Sequence, residues 1–123
     1  MSVTELQVGD LVMYNGCVCR VYGLMMPVPR DDSRLDGKAV ITLYCDGLID
    51  ATEDEVSPIA LTEEKLKLND IDMDTFVDLS KPLFTMGINA GDTHVVKRFS
   101  TVNEIQRALK LCGLSAFAGA FKA

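Results

Sequence analysis

Two short apolar runs on either side of Asn15-Gly16 dominate the start of the chain. The runs cover residues 11–14 (LVMY) and 17–24 (CVCRVYGL). Asn-Gly readily adopts the two consecutive positive φ angles of a type I′ turn, so the pattern predicts a β-hairpin. With this pair as the loop, Tyr14 lies opposite Cys17 and Leu11 lies opposite Arg20.

Alternation along the two strands assigns the hairpin side chains to two faces. One face is wholly apolar and is predicted to be core: Val12, Tyr14, Cys17, Cys19 and Val21. The other is mostly apolar and needs a cover, either another part of the chain or another molecule: Leu11, Met13, Val18, Arg20 and Tyr22.

Strand patterns continue to about residue 60. Residues 38–45 (KAVITLYC) are rich in β-branched side chains, Asp46-Gly47 is a second two-residue turn signal, and residues 48–51 form the returning strand. A further short strand is expected near Pro58-Ile59. Two tight hairpins and one short strand predict an SH3-like small β-barrel over residues 1–60.

A loop is predicted at residues 25–37 (MMPVPRDDSRLDG), which contain two prolines and a closing Asp-Gly. Long ordered loops are often binding elements. Met25 and Met26 at its base form either an adaptable apolar contact or a cap on the core of the barrel.

The second half of the chain predicts two helices around a hairpin. Thr62 is the N-cap of a short helix that ends near Asn69-Asp70, and residues 70–82 show no clear period. Strands are predicted over residues 83–88 and 93–99, with a turn at 89–92.

The last helix has capping-box spacing between Thr101 and Glu104. An apolar stripe follows at helical period, formed by Val102, Ile105, Ala108, Leu109 and Cys112, with Gln106, Arg107 and Lys110 pointing elsewhere. Gly113 suits the C′ position of a Schellman ending. Phe117 and Phe121 in the tail provide either a final docking turn or a contact for a partner.

These elements predict an α+β protein: an SH3-like barrel over residues 1–60, with a helix, a hairpin and a C-terminal helix over residues 61–123 packed on it as one compact unit. Hydrophobic residues make up 48% of the chain and charged residues 24%, values typical of globular proteins.

Net charge and cysteine content narrow the functional classes. The net charge of −6 disfavours nucleic-acid binding, which needs clustered Lys and Arg. A nucleic-acid-binding barrel stays an alternative because Tyr22 lies beside Arg20 on the outer face.

No apolar run is long enough to span a membrane, and no secretory signal is evident, so we expect a cytoplasmic protein. In that compartment the cysteines should be reduced, and Cys17 and Cys19 are expected to be buried thiols.

Motifs for catalysis, metals or cofactors are missing from the sequence. His94 is the single histidine and lacks zinc-site spacing to the cysteines. The acidic residues at 50–55 lack EF-hand spacing and indicate a solvated turn, as do the aspartates at 70–78. We therefore expect no catalytic, metal or cofactor residues, with an enzyme of unrecognised site as an alternative.

Three stretches resemble a family of small proteins encoded by phages, prophages and mobile elements of anaerobic gut bacteria, mostly of unknown function. They are LQVGDLV with YNG at residues 6–16, VSPIALTEE at 56–64 and VNEIQRALKLCGL at 102–114. Asn103 stands where the family often has His, so no role of that His carries over. The resemblance implies a viral or mobile-element origin and a non-enzymatic role, and it supplies no site residues.

The sequence thus predicts a cytoplasmic, phage-type protein that works by protein–protein interaction. The partner is either a second copy, in a homo-oligomer or a virion, or a host protein that it binds or inhibits. The expected interaction surface consists of Leu11, Met13, Val18, Arg20, Tyr22, Met25, Met26, Phe117 and Phe121.

Overall fold

The computed structural model describes residues 1–69, 76–78, 83–90, 93–111 and 113–123, and it is an α+β structure. The described chain divides into a first unit, residues 1–59, and a second unit, residues 60–123. The first unit holds strands β1 (Leu11–Tyr14), β2 (Cys17–Met25), β3 (Val40–Tyr44), β4 (Leu48–Thr52) and β5 (Val56–Ser57). The second holds helix α1 (Glu63–Leu68), strands β6 (Phe76–Asp78), β7 (Leu83–Ala90) and β8 (Thr93–Phe99), and helices α2 (Val102–Leu111) and α3 (Ser115–Gly119).

The first unit is a curled antiparallel sheet in the order β4-β3-β2-β1-β5. Its first hairpin has the predicted register, with Tyr14 opposite Cys17 and Leu11 opposite Arg20. The turn has φ angles of 50° at Asn15 and 78° at Gly16, which confirms the type of turn that Asn-Gly favours.

The concave face of this sheet carries the core of the first unit. Its buried side chains come from all five strands and from the segment before β1, namely Leu6, Val12, Cys19, Val21, Ile41, Leu43, Ala51 and Val56. Tyr14 is half-buried against this core, but Cys17 is exposed. The prediction of a buried Cys17 is therefore wrong, because this residue lies at the turn end of the hairpin, directly after Gly16.

The second hairpin differs from its prediction by one residue. Tyr44 rather than Cys45 lies opposite Leu48, so the loop spans residues 45–47, with φ of 56° at Asp46 and 143° at Gly47. The N–H of Cys45 donates to the carbonyl of Gly47 (3.0 Å), which closes the longer loop. This register places Ile49 and Ala51 opposite Leu43 and Ile41 on the core side of the sheet.

In the second unit, β6, β7 and β8 form an antiparallel sheet in that order. Strand β8 has the predicted bounds, whereas β7 continues to Ala90, which pairs with Thr93. Strand β6 lies within residues 70–82, where the sequence shows no clear period and predicts no element.

The predicted N-cap of α1 is confirmed, since the N–H of Lys65 donates to Thr62 Oγ1 (3.3 Å). At the start of α2, the two side chains that have capping-box spacing are in contact, and Thr101 Oγ1 donates to Glu104 Oε1 (2.8 Å). After α2, Gly113 has φ of 80° and the N–H of Leu114 donates to the carbonyl of Leu109 (2.9 Å), which is the Schellman bond.

The C-terminal tail is held by side-chain amides. Gln106 is fully buried, and its Nε2 donates to the carbonyl of Ala118 in α3 (3.1 Å), so its prediction as an outward-pointing residue is wrong. The amide can lie inside because it meets a backbone acceptor there. The side chain of Asn69 likewise donates to the carbonyl of Lys122 and accepts from its N–H, both at 2.7 Å.

We expect Gly16→Ala to lower the free energy of unfolding of the first unit by about 1 kcal/mol, because an L side chain at positive φ meets the following carbonyl. Urea denaturation followed by circular dichroism measures this loss. Gly23→Ala is the matched control, since Gly23 has no left-handed φ and an added Cβ would lie 3.7 Å from Thr42 Cβ, an ordinary contact. Equal losses in the two variants would contradict the role of the turn.

Candidate functional site

The convex face of the first unit carries a row of side chains that crosses four strands. The pairings Leu11–Arg20, Arg20–Tyr44 and Tyr44–Leu48 place these residues side by side on β1, β2, β3 and β4. Leu11 is buried at 5% exposure, whereas Tyr44 and Leu48 expose 56% and 60% of their side chains. The row therefore becomes an accessible apolar surface toward β4.

Two residues of β2 extend this surface. Val18 lies opposite Met13 on the same face and is 40% exposed. Tyr22 is the extra residue of a β-bulge, where the pairing with β3 shifts between Val21 and Gly23, and it is 63% exposed. Bulges commonly redirect a side chain in this way. We call Val18, Tyr22, Tyr44 and Leu48 the outer patch.

Arg20 lies within the row between Leu11 and Tyr44. It is half-buried, and its Nη1 donates to the carbonyl of Gly9 (2.8 Å). This bond ties the side chain to the turn before β1. The outer patch therefore has a fixed cation at its β1 side, and its apolar surface lies on strands whose register is set by backbone pairing.

Carboxylates flank the outer patch on the β3–β4 side. Asp46 is exposed in the turn between Tyr44 and Leu48. Asp50 is exposed one row further along β4, where it accepts a hydrogen bond from Thr42 Oγ1 (2.8 Å). The patch thus combines an apolar centre with an acidic margin.

The segment predicted as a loop at residues 25–37 is built by its own hydrogen bonds. The N–H of Arg30 donates to Asp36 Oδ1 (2.8 Å), its guanidinium donates to the carbonyl of Lys38 (3.2 Å), and the N–H of Gly37 donates to the carbonyl of Val28 (3.1 Å). Leu35 is buried beneath these bonds. The loop is therefore a packed element with Met26 exposed at its start, whereas Met25, also exposed, is the last residue of β2 and pairs with Val40, so the loop begins one residue later than predicted.

Arg34 of this loop covers the edge strand of the sheet. Its guanidinium donates to the carbonyl of Asp50 on β4 (2.7 Å) and to Glu55 Oε1 (2.9 Å). An edge carbonyl with a side-chain donor is less open to pairing with another chain. The β4 edge is therefore covered at Asp50, whereas the face of the sheet beside it is exposed at Tyr44 and Leu48.

Glu55 also completes a capping box with Thr52, whose N–H (3.0 Å) and Oγ1 (2.8 Å) both donate to it. The hydrogen bonds from the backbone and then the hydroxyl of Thr52 lower the pKa of Glu55 below its ordinary value of 4.5, and Arg34 adds to the effect. Asp54 accepts from the same hydroxyl, which lowers its pKa as well. These carboxylates therefore act as structural acceptors.

Three thiols gather at the start of β2. Cys17 is exposed, Cys19 is buried and Cys45 is half-buried against the core. Burial, followed by a hydrogen bond with the Cys45 thiol, raises the pKa of Cys19 to about 11. Cys19 is consequently a protonated thiol at neutral pH.

The predicted interaction residues fall into separate places. Val18 and Tyr22 are exposed in the outer patch, Met13 and Arg20 are half-buried beside it, and Met25, Met26 and Phe117 are exposed elsewhere. Leu11 and Phe121 are buried, at 5% and 1% exposure, so neither belongs to an accessible surface. The tail of Phe121 is a docking turn rather than a free segment.

Tyr44 and Leu48 are members of the outer patch that the sequence reasoning did not name. A signal was present, because both alternate with core residues, Tyr44 with Leu43 and Leu48 with Ile49.

Among the side chains that the structure describes, no group of three or more His, Cys, Asp or Glu residues is arranged to hold a metal ion. The side chain of His94 and the aspartates at 70–78 lie outside that description. None of the helices in the described ranges has the length and apolar character needed to cross a lipid bilayer.

No protein-family model, curated protein or solved structure matches this chain.

We expect the first unit to lose stability as the pH falls below about 4.5, because a carboxylate whose pKa is lowered by folding stabilises the native state only while ionised. The stabilisation is complete above the ordinary pKa and disappears as the pH falls through the lowered value. Glu55→Gln should flatten this decline, and urea midpoints at pH 7 and pH 3 measure it.

The decline should shrink without vanishing in Glu55→Gln, since the pKa of Asp54 is lowered too. Glu64→Gln, the same substitution at an exposed position of α1, is the control. An unchanged pH profile in Glu55→Gln would contradict the assignment.

Proposed function

We propose that this protein works by binding another protein through the outer patch, without enzymatic chemistry of its own. The observation that carries the proposal is the set of four exposed apolar side chains, Val18, Tyr22, Tyr44 and Leu48, on adjacent strands of one sheet. Exposed apolar side chains grouped on one face of a sheet commonly mark an interaction site, and tyrosines are enriched in binding hot spots.

Charge favours a partner other than a second copy of the chain. Asp46 and Asp50 flank the patch, and the whole chain carries a net charge of −6. A second copy would bring the same acidic margin against this one, which costs free energy. The surface is therefore complementary to a protein that has an apolar centre surrounded by Lys and Arg.

The resemblance to phage and mobile-element proteins supports a host protein as this partner, in the cytoplasm of the bacterial cell. The curled five-stranded sheet supports an SH3-like barrel as the binding scaffold. On this proposal the chain is an inhibitor or adaptor whose barrel presents a binding face.

One observation favours a second candidate, single-stranded nucleic acid. Tyr22 and Tyr44 are exposed near Arg20, and exposed aromatic rings beside an arginine can stack bases. The acidic margin opposes a phosphate backbone, so we rank this function below protein binding.

Leu48→Lys tests the proposal, because it replaces an exposed apolar contact with a cation that repels a basic margin. The tagged full chain is used to capture proteins from a host lysate treated with nuclease, and the captured protein is then titrated in purified form. We expect the captured protein to bind the Leu48→Lys variant at least about tenfold more weakly, a loss of about 1.4 kcal/mol in binding free energy.

Leu111→Lys is the matched control, since Leu111 is exposed at the end of α2 in the second unit. A protein retained by the unaltered chain and by Leu111→Lys, but lost by Leu48→Lys, supports the proposal. Equal retention by all three chains contradicts it. Loss of capture on nuclease treatment would favour nucleic acid, and a dimer dispersed by Leu48→Lys would identify a second copy as the occupant.

A further inference from the structure

Cys19 and Cys45 come directly after the last pair of the β2–β3 ladder, which joins Arg20 and Tyr44. Arg20 pairs with Tyr44 and Val21 pairs with Leu43, so the same register continued by one residue brings Cys19 opposite Cys45. Both thiols lie on the core face of the sheet, where Cys45 packs against the cluster that contains Cys19.

Backbone hydrogen bonds show which kind of antiparallel pair this is. The N–H of Val21 donates to the carbonyl of Asp10 (2.8 Å), and the carbonyl of Val21 accepts from the N–H of Gly9 (2.8 Å). Val21 therefore directs its backbone groups toward the β1 side. The direction of the backbone N–H and C=O groups repeats every second residue along a strand, so those of Cys19 also point away from β3. In the continued register, Cys19 and Cys45 are therefore a pair without mutual backbone hydrogen bonds.

Distances in such pairs favour a disulfide. The two Cα atoms of a pair without hydrogen bonds lie about 4.5 Å apart, within the range of about 4.4–6.8 Å that disulfides span. Cys17 and Cys45 are diagonal neighbours, which are about 7–8 Å apart. Cys17 and Cys19, two residues apart on one strand, are about 6.6 Å apart with parallel Cβ directions. Among the three cysteines that the structure describes, only Cys19 and Cys45 can therefore be joined without moving the backbone.

The two thiols are neighbours in the reduced protein. The Cys19 thiol donates to the carbonyl of Cys17 (3.6 Å), and the nearby Cys45 thiol contributes, after burial, to its raised pKa of about 11. Since Cys19 is buried and protonated at neutral pH, the half-buried Cys45 is the more accessible of these two thiols and the one that reacts first with an oxidant.

We propose that Cys19 and Cys45 form a modification site, a thiol pair that closes to a cross-strand disulfide by exchange with a small disulfide such as oxidised glutathione. The thiolate of Cys45 attacks one glutathione sulfur, a mixed disulfide forms, and one glutathione thiolate leaves and takes up a proton. Cys19 then loses its proton to water and attacks the Cys45 sulfur, which releases the second glutathione. Two protein thiols are oxidised and one glutathione disulfide is reduced to two thiols.

The test uses the full chain with Cys17→Ser and Cys112→Ser, which leaves Cys19 and Cys45 as the only thiols. Cys17 is exposed, so its replacement leaves the core intact, and circular dichroism against the unaltered chain checks the fold. The protein is incubated with oxidised glutathione, free thiols are blocked with N-ethylmaleimide, and tryptic peptides are analysed by mass spectrometry.

We expect peptide 1–20 linked to peptide 39–65, within a monomer and lost on reduction, because trypsin cuts after Arg20, Lys38 and Lys65. Adding Cys45→Ser to the same chain should reduce the linked peptides to background. Glutathione mixed disulfides without linked peptides would overturn the proposal. So would linkage that appears in the unaltered chain but not with Cys17→Ser, since it would assign the bond to Cys17 and Cys45.

Discussion

The positive φ angles of Asn15 and Gly16 are the constraint on which the first unit depends. They make the turn two residues long, and a two-residue turn fixes which residue of β2 lies opposite each residue of β1. A slip of one residue would move Val12 from the core to the convex face and bring Leu11 inward. The core, the outer patch and the position of Cys19 all follow from this one register.

The register separates two chemistries on the opposite faces of the same strands. Residues of β2 and of the end of β3 alternate between the thiol side and the patch side: Cys19 lies beside Val18, and Cys45 follows Tyr44. A bond between the two thiols would thus join the strands that carry the outer patch, from the side opposite to a bound partner. The proposed binding and the proposed oxidation would thus involve different side chains on the same strands.

The β4 edge of the sheet is covered, which supports the proposal that a partner binds at the face. Arg34 satisfies the carbonyl of Asp50 on β4, and Glu55 holds Arg34 in place. The capping box of Thr52 and Glu55 ends β4 directly beside this contact. The loop at 25–37 supplies Arg34. The hydrogen bonds within this loop therefore help to hold the Arg34 guanidinium against the edge strand β4.

Local chemistry determined much of the fold in advance. The Asn15-Gly16 turn, the Thr62 and Thr101 caps and the Gly113 ending each depend on residues within a few positions of one another, so the sequence alone predicts them. The same holds for the division of the first hairpin into two faces, since alternation needs no knowledge of the rest of the chain.

Tertiary structure decided which of those side chains are covered. Alternation places Leu11 and Tyr22 on the same face, yet Leu11 is buried and Tyr22 is exposed. Gln106 lies inside because its amide donates to a backbone carbonyl of α3. The Asp46-Gly47 loop took a third residue to keep Ile49 and Ala51 on the core side. Alternation along a strand determines the direction of a side chain, but its burial depends on segments that are distant in sequence and become neighbours only after folding.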